Sequence, residues 1–314
     1  MPRANRESKV PRDPLAKRTM RIAMAFRSMM TRYPADIARA VRFRHKAVAP
    51  CETLRQAWAA LPHDPGLRAA CWLGHCSVLL KFGSLTLCTD PVLGPVIGPR
   101  VGGVTFGPRR LNPIAAAAAD LPHLDLILVS HAHYDHLDRA TLRALVSRRT
   151  ELLTAKSTRG LIPRGFKHIH QLHWLHSHVF EDITVTAVRP RHWGARNGWD
   201  RHRGYNSYII EHAGSRVLFA ADTAETAAFD KLGPFDLGIF GIGAYKPWIH
   251  AHANPEQVWR MATASGCRFI LPVHYSTFKL SDEPEGEPLE RLLAAAGEEK
   301  DRIIAPAPGT ILSF

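Results

Sequence analysis

The chain is poor in cysteine and has no long hydrophobic run. Its 314 residues include five cysteines, and no two of them have C-x-x-C spacing. This usage argues against a disulfide framework or a cysteine-ligated zinc and indicates a reducing compartment. The most apolar stretch near the N-terminus, residues 22–26, lies between Arg21 and Arg27 and is too short for a signal peptide core or a membrane span. We expect a cytoplasmic protein, either soluble or peripheral on the inner face of the membrane.

The sequence also lacks a Ser/Gly linker and a readable internal repeat. Hydrophobic residues make up 46% of the chain, which is enough for a sizeable core. Strand-like apolar runs lie on both sides of a helical zone, residues 139–148 and 158–161. This order predicts an α/β fold with two sheets sandwiched between helices. We expect one domain over residues 66–314, preceded by a basic, partly helical N-terminal extension over residues 1–65.

Positive charge is concentrated at the N-terminus. Residues 1–46 contain 13 lysines and arginines and three acids, a net +10 of the +13 for the whole chain. Apolar residues alternate with arginine there at near-helical spacing, which Pro34 interrupts. Such an arm can lie on an anionic membrane. Alternatively its helices cap the following domain, and the modest apolar face favours this second interpretation.

A nucleic-acid partner is less favoured by the rest of the chain. Outside the arm the net charge is small, and no stretch interleaves aromatic and basic residues in the way that stacks bases. The sequence carries no indication of an oligomeric state.

The stretch from Ser130 to Asp138 contains three histidines and two aspartates, and it directly follows an apolar run, residues 124–129. The run predicts a buried strand, so the polar side chains fall on the loop that follows it, where chemistry is often located. Neutral imidazole and carboxylate suit zinc, manganese or iron. Four side chains so close in sequence cannot all surround one ion, so the pattern indicates two adjacent ions. These four candidate ligands are His131, His133, Asp135 and His136.

This motif resembles the signature of the metallo-β-lactamase-fold hydrolases. Further motifs continue the resemblance over about residues 70–284, and together they look most like the branch that contains N-acyl-phosphatidylethanolamine-hydrolysing phospholipase D. The segments that carry it are residues 72–78, 89–91, 190–196, 220–223, 241–247, 252–256 and 271–278. The resemblance implies the four-layer αβ/βα sandwich of that fold.

The resemblance also implies a set of metal ligands. His131, His133 and His192 would hold one divalent ion, zinc before manganese or iron. Asp135, His136 and His274 would hold the other, and Asp222 would bridge the two. Apolar runs precede three of these residues: residues 185–188 precede His192, residues 269–273 precede His274, and residues 216–221 precede Asp222. Each of the three could therefore reach the same sheet edge. Asp90 would support the metal histidines from behind.

A catalytic role is expected for Asp135 and for His252. The family uses a residue near its active site at the position of His252, although a surface or helix-capping histidine before Asn254-Pro255 is an equal alternative. Asn254 followed by Pro255 predicts a helix N-cap. The histidine-rich tract of residues 168–178 is expected to be an ordinary strand and loop rather than a metal store.

The predicted activity is hydrolysis by a hydroxide that bridges two metal ions, without a serine or cysteine nucleophile. The favoured substrate is a phosphodiester of the N-acylphosphatidylethanolamine type. The alternatives are a lactonase or other ester hydrolase on the same site, an RNA-processing nuclease, and, last, a non-catalytic binding protein. Fold and metal do not choose among these substrates.

Overall fold

The structure, a computed structural model, describes residues 52–62, 64–101, 103–197 and 199–314. The basic arm and its predicted helices, residues 1–46, lie outside these residues. Helix α1, Glu52–Ala59, belongs to the predicted extension. Its Trp58 is buried and donates from Nε1 to Thr86 Oγ1 at 3.1 Å. This helix therefore packs on the sheet that follows it, and the domain boundary at residue 65 stays a prediction.

The first β-sheet has seven strands. In spatial order they are β15 (Ile311–Ser313), β1 (Arg68–Gly74), β2 (Ser77–Phe82), β3 (Leu85–Thr89), β6 (Leu126–Val129), β7 (Glu151–Ala155) and β8 (His168–Leu172). Strands β15 to β3 pair antiparallel, and β3, β6, β7 and β8 pair parallel. Strand β6 is wholly buried and aliphatic, as expected for a strand covered on both faces. The strand predicted over residues 124–129 is confirmed, with a later start.

The second sheet has six strands. In spatial order they are β14 (Cys267–Val273), β13 (Phe235–Gly241), β12 (Ser215–Ala221), β11 (Ser207–His212), β10 (Ile183–Val188) and β9 (Ser177–Phe180). The first three pair parallel and the others antiparallel. The apolar runs predicted before His192, Asp222 and His274 lie in β10, β12 and β14. A separate ribbon joins β4 (Arg100–Val101) and β5 (Val104–Thr105).

Two apolar cores hold these layers together. The larger core lies between the sheets and includes Leu128 and Leu153 of the first sheet and Tyr208 and Phe219 of the second. The Tyr208 hydroxyl also donates to the Val129 carbonyl at 3.0 Å, which ties the sheets together near the end of β6. The smaller core packs Trp58 and other residues of α1 against the outer face of the first sheet.

Helices cover the outer faces, as the four-layer prediction requires. They are α1, α2 (Arg139–Ala144), α3 (Pro255–Ala264) and α4 (Glu287–Ala296), with short 3₁₀ turns at Ala118–Asp120, Arg159–Leu161 and Gly297–Arg302. Asn254 caps α3 in a reciprocal capping box with Gln257, and this confirms the predicted N-cap. Helix α2 is shorter than predicted. After it, the Ser147 hydroxyl accepts from the Arg149 N–H and favours a turn instead.

Candidate metal centre

The predicted metal ligands, Asp90 and a further histidine, His75, come together at one edge of the sandwich, each in a loop that follows a strand. Polar loops at such an edge converge because parallel strands end on the same side of a sheet. His75 follows β1, Asp90 follows β3, His131 to His136 follow β6, His192 follows β10, Asp222 follows β12, and His274 follows β14.

Several of these residues have a left-handed backbone. The φ angles are +51° at His75, +33° at Asp90, +51° at Ala221 and +60° at His274. A residue with a Cβ pays about 1–2 kcal/mol for this conformation. Strain of this kind collects where surrounding contacts fix a functional geometry. Here it turns four chain segments sharply out of their strands and towards a common point.

The first cluster contains His131, His133 and His192. His131 Nε2 lies 2.8 Å from His133 Nδ1, and His192 Nε2 lies 3.4 Å from the same atom. Asp222 Oδ2 is 3.8 Å from His131 Nε2 and 3.6 Å from His192 Nε2. One ligand atom from each of the four residues therefore falls within the space that a single metal ion could occupy.

The second cluster contains Asp135, His136 and His274. Asp135 Oδ2 lies 3.6 Å from His136 Nε2 and 3.4 Å from His274 Nε2. His75, which the sequence interpretation did not select, joins this cluster with Nε2 at 3.1 Å from Asp135 Oδ2. Its ring centroid is 4.1 Å from that of His274. These four residues form a second group with one ligand atom each in a common space.

Asp222 lies between the two clusters. Its Oδ2 is 3.1 Å from His136 Nε2, and its Oδ1 is 3.3 Å from His274 Nε2, in addition to its contacts with the first cluster. Both carboxylate oxygens are buried, and neither has a hydrogen-bond partner among the residues that the structure describes. A buried carboxylate is costly unless positive charge lies beside it. The position fits a carboxylate shared by two cations.

Burial and close packing shift the pKa values of these groups in opposite directions. Burial lowers the pKa of His133 to about 3, so its imidazole is neutral. Burial alone would also lower the pKa of His274, but Asp222 and Asp135 outweigh it and raise the pKa to about 9. Burial acts to raise the pKa of Asp222, whereas His136 and His274 hold it well below its usual range. The centre therefore contains ionised carboxylates that attract cations.

Asp90 contacts both clusters from behind. Its Oδ2 accepts from His136 Nδ1 at 2.7 Å and from the Ser130 hydroxyl at 2.5 Å. Because Ser130 gives its only hydroxyl proton to Asp90, its oxygen accepts from His131 Nδ1 at 2.9 Å. Each imidazole then keeps a free Nε2 lone pair towards the centre, which is how a carboxylate beside a metal histidine sets the tautomer. Sequence interpretation selected Asp90 but not Ser130.

Backbone carbonyls hold the remaining parts of the centre. His192 Nδ1 donates to the Ala251 carbonyl at 3.0 Å, which leaves its Nε2 free. The Arg196 guanidinium donates to the carbonyls of Ala132 and Leu137, both at 2.9 Å, and its Cζ lies 3.8 Å from the Tyr134 ring centroid. Arg196 thus fixes, by hydrogen bonds, both ends of the loop that carries His133, Asp135 and His136.

His252 lies at the margin of the centre. Its Nδ1 is 3.8 Å from Asp222 Oδ2, and its ring centroid is 5.1 Å from that of His192. Its side chain is 16% exposed, compared with 1% for Asp222, so it lies between the clusters and solvent. Burial lowers the pKa of His252 well below its usual range. The residue therefore contacts the centre as a neutral imidazole.

The donor set fits divalent metal ions. The buried Nε2 atoms of His136 and His274 lack hydrogen-bond partners within the described part of the chain, as do both oxygens of Asp222. Imidazole nitrogen with carboxylate oxygen is the ligand combination of zinc and of other first-row transition metals. The residues grouped by geometry are those that the sequence predicted, with His75 added.

Comparisons with known proteins agree with the fold. The family description "Beta-lactamase superfamily domain" matches residues 86–275. An uncharacterised protein of Mycobacterium tuberculosis is 34% identical over 279 residues, which cover 85% of this chain and 74% of that protein. The N-acyl-phosphatidylethanolamine-hydrolysing phospholipase D 1 of Caenorhabditis elegans is 30% identical over 259 residues, which cover 74% of this chain and 71% of that protein.

A solved structure shows the same architecture. The isothiocyanate hydrolase from Delia radicum gut bacteria superposes with a TM-score of 0.62 at 17% identity, covering 78% of this chain and 99% of that one. At this identity the likeness concerns the fold alone. In the part of the chain that the structure describes, no helix has the length and apolar character needed to cross a membrane.

Proposed function

Because the chain belongs to the beta-lactamase superfamily and is a metal-dependent hydrolase, we propose that it cleaves the phosphodiester bond of a phospholipid of the N-acylphosphatidylethanolamine type. The observation that carries the proposal is the pair of histidine and aspartate clusters that share Asp222. A paired site suits displacement at phosphorus, in which charge develops on both the attacking and the leaving oxygen. The 30% identity to the nematode phospholipase D supports this substrate class.

In this proposal His131, His133 and His192 bind one ion, and Asp135, His136 and His274 bind the other. Asp222 binds both, and zinc is the expected metal. Two divalent ions held by these residues would supply an activated water and would stabilise charge on the reacting oxygens. The chain's own residues supply the geometry. Asp90 sets the tautomers of His131 and His136, and the His75 imidazole orients Asp135 through the 3.1 Å contact.

His252 is proposed to contact the phosphate or the leaving group. It lies beside both clusters and nearer to solvent than Asp222. Since its pKa is lowered by burial, it acts as a neutral imidazole that donates an N–H hydrogen bond or accepts a proton. It is not a pre-charged acid at neutral pH.

Exposed apolar side chains beside the centre support a lipid-type substrate. Trp193 follows His192 directly, is 47% exposed, and its ring centroid is 4.5 Å from that of His133. Trp199 follows in the same loop and is 84% exposed. Ile249, three residues before His252 in the chain, is 43% exposed. Large exposed apolar groups near a polar centre are typical of a surface that binds an apolar ligand.

The basic arm, residues 1–46, would bring the protein to the anionic inner face of the membrane.

The test is a substrate panel with purified full-length protein loaded with zinc. The panel contains bis-p-nitrophenyl phosphate, an N-acylphosphatidylethanolamine in mixed micelles, a set of lactones and a structured RNA. We expect hydrolysis of both phosphodiesters, with release of phosphatidic acid from the lipid, and no hydrolysis by Asp222→Ala prepared in parallel. Turnover of lactones or RNA with no phospholipid cleavage would overturn the proposed substrate, and zinc-loaded protein inactive on the whole panel would overturn the activity.

A further inference from the structure

A third group of ligand-type side chains lies away from the candidate metal centre, at the open edge of the sandwich. Glu151 is the first residue of β7, His170 lies in β8, and His178 lies in β9. Strand β8 is the last strand of the first sheet, and β9 is the last strand of the second. The group therefore spans the two sheet edges.

Strand register places these side chains between the sheets. His170 is the cross-strand neighbour of Leu153, and His178 is the neighbour of Val185. Both neighbours belong to the core between the sheets, and cross-strand neighbours share a face. Glu151 is in register with Leu126, the first residue of β6, whereas the candidate metal centre follows the last residue of that strand. The two sites are at opposite ends of the first sheet.

The three side chains converge on one point. His170 Nε2 is 3.3 Å and His178 Nε2 is 3.4 Å from Glu151 Oε2, and the two imidazole centroids are 4.2 Å apart. Both Nε2 atoms are buried, and neither has a hydrogen-bond partner among the described residues. Glu151 is only 6% exposed, and its other oxygen, Oε1, pairs with Lys167 Nζ at 3.2 Å. Oε2 is therefore left facing the two imidazoles.

These distances suit metal ligands better than hydrogen bonds. An N–H···O hydrogen bond to a carboxylate is about 2.7–2.9 Å long. In a tetrahedral zinc site with bonds of about 2.0–2.1 Å, neighbouring ligand atoms lie roughly 3.3–3.4 Å apart. The two nitrogen–oxygen distances therefore match two edges of such a tetrahedron, and all three ligand atoms lie within 4.8 Å of one another. A water can occupy the fourth corner, because the side chain of His170 is 36% exposed.

We propose that Glu151, His170 and His178 form a separate binding site for a divalent transition-metal ion, with zinc the preferred metal, that joins the open edges of the two sheets. Two imidazoles and one carboxylate are a donor set that zinc accepts. Edge strands have an unpaired row of backbone groups, and an ion held from both sheets would restrain them. The site is structural, and it does not depend on the proposed phospholipid substrate.

The experiment compares three full-length proteins, each equilibrated with low-micromolar free zinc. They are the wild type, His170→Ala/His178→Ala, and His173→Ala/His176→Ala. The last is a matched control, since His173 and His176 are exposed and lie in the loop between the same two strands. Zinc per chain is measured by mass spectrometry, and the melting temperature is measured with and without zinc.

We expect the His170/His178 variant to hold one equivalent of zinc fewer than both the wild type and the control. It should also lose part of the zinc-dependent rise in melting temperature while retaining hydrolysis of a soluble substrate. A difference in zinc content isolates this site whatever the candidate metal centre holds. Equal zinc content in the three proteins would overturn the proposal. If the double variant fails to fold, Glu151→Gln replaces it, and a zinc content in that protein equal to that of the wild type would overturn the proposal in the same way.

Discussion

Replacing Asp90 with asparagine tests how the chain prepares its histidines for metal. Asp90 Oδ2 accepts from His136 Nδ1 and from Ser130, which in turn accepts from His131. Asparagine keeps the size of the side chain and can still accept the Ser130 N–H, which lies 2.7 Å from Asp90 Oδ1. Its amide nitrogen would then face His136 Nδ1. Two N–H groups cannot face each other, so His136 would move its proton to Nε2.

The size of the effect follows from the number of ligands affected. In the second cluster, His136 would lose its Nε2 lone pair, the atom that lies 3.1 Å from Asp222. In the first cluster, His131 would lose the fixed orientation of Ser130. Removing one such supporting carboxylate weakens metal binding by about 10–100-fold, equivalent to about 1.4–2.7 kcal/mol. We expect a loss in this range for the second ion and a smaller loss for the first.

The assay is competitive titration of metal-free protein against a chromogenic zinc chelator, combined with turnover of bis-p-nitrophenyl phosphate. Asp182→Asn is the matched control, because Asp182 makes the same type of contact, accepting from His212 at 2.7 Å, but is two-thirds exposed and precedes β10, whereas the ligand His192 follows the other end of that strand. Wild-type zinc affinity and turnover in a folded Asp90→Asn protein would refute the reasoning. Burial also raises the pKa of Asp90. Activity should therefore decline on acidification at a pH above the usual aspartate pKa of about 3.9.

Three further predictions concern other parts of the molecule. His252→Ala should keep its metal and its fold but lose about 10²–10⁴-fold in turnover, whereas His250→Ala in the same loop should retain activity. If the wild type has a limb of the pH profile near neutrality that only His252→Ala loses, His252 is not a neutral imidazole there. Because the pKa of His274 is raised to about 9, zinc must displace a proton from this residue below that pH. Calorimetry should show proton release on zinc binding and a zinc affinity that falls as the pH drops from 9 to 6, and a pH-independent zinc affinity would contradict this prediction. Deleting residues 1–46, which carry a net +10, should weaken sedimentation of the protein with anionic vesicles and leave turnover of a soluble substrate intact. If the full-length protein does not bind such vesicles at low salt, the arm does not bind membranes.

The local pattern indicated the metal-binding loop from His131 to His136, whereas the roles of His192, Asp222 and His274 came from the family resemblance and stay predictions. Each expected ligand follows a short apolar run. A buried strand followed by histidine or aspartate can be predicted from neighbouring residues alone. The cap at Asn254 is likewise local, since the capping box joins it to Gln257 three residues later. The beginning of β6 and the end of α2 were less well predicted, because side chains in the adjoining segments bond to backbone N–H groups: Asp125 accepts from Thr86, and Ser147 accepts from Arg149.

The residues that sequence interpretation missed depend on tertiary contacts. His75 stands alone after a glycine, and its place in the centre depends on the backbone bond from His75 N–H to Thr277 Oγ1, more than two hundred residues away. The histidine-rich tract was correctly expected to contain a strand and was not expected to bind metal. Its relation to Glu151 arises only when β7 and β8 pair in register and β9 joins the opposite sheet. The local sequence predicts neither the pairing of β8 with β7 nor the place of β9 in the second sheet.

The central claim is that two metal ions share Asp222. The most direct measurement is anomalous X-ray scattering at the zinc edge from crystals of the zinc-loaded full-length protein. We predict two peaks about 3.5–4 Å apart, one among His131, His133 and His192 and the other among Asp135, His136 and His274, with Asp222 in contact with both. A single peak in this region, or two peaks of which only one contacts Asp222, would contradict it.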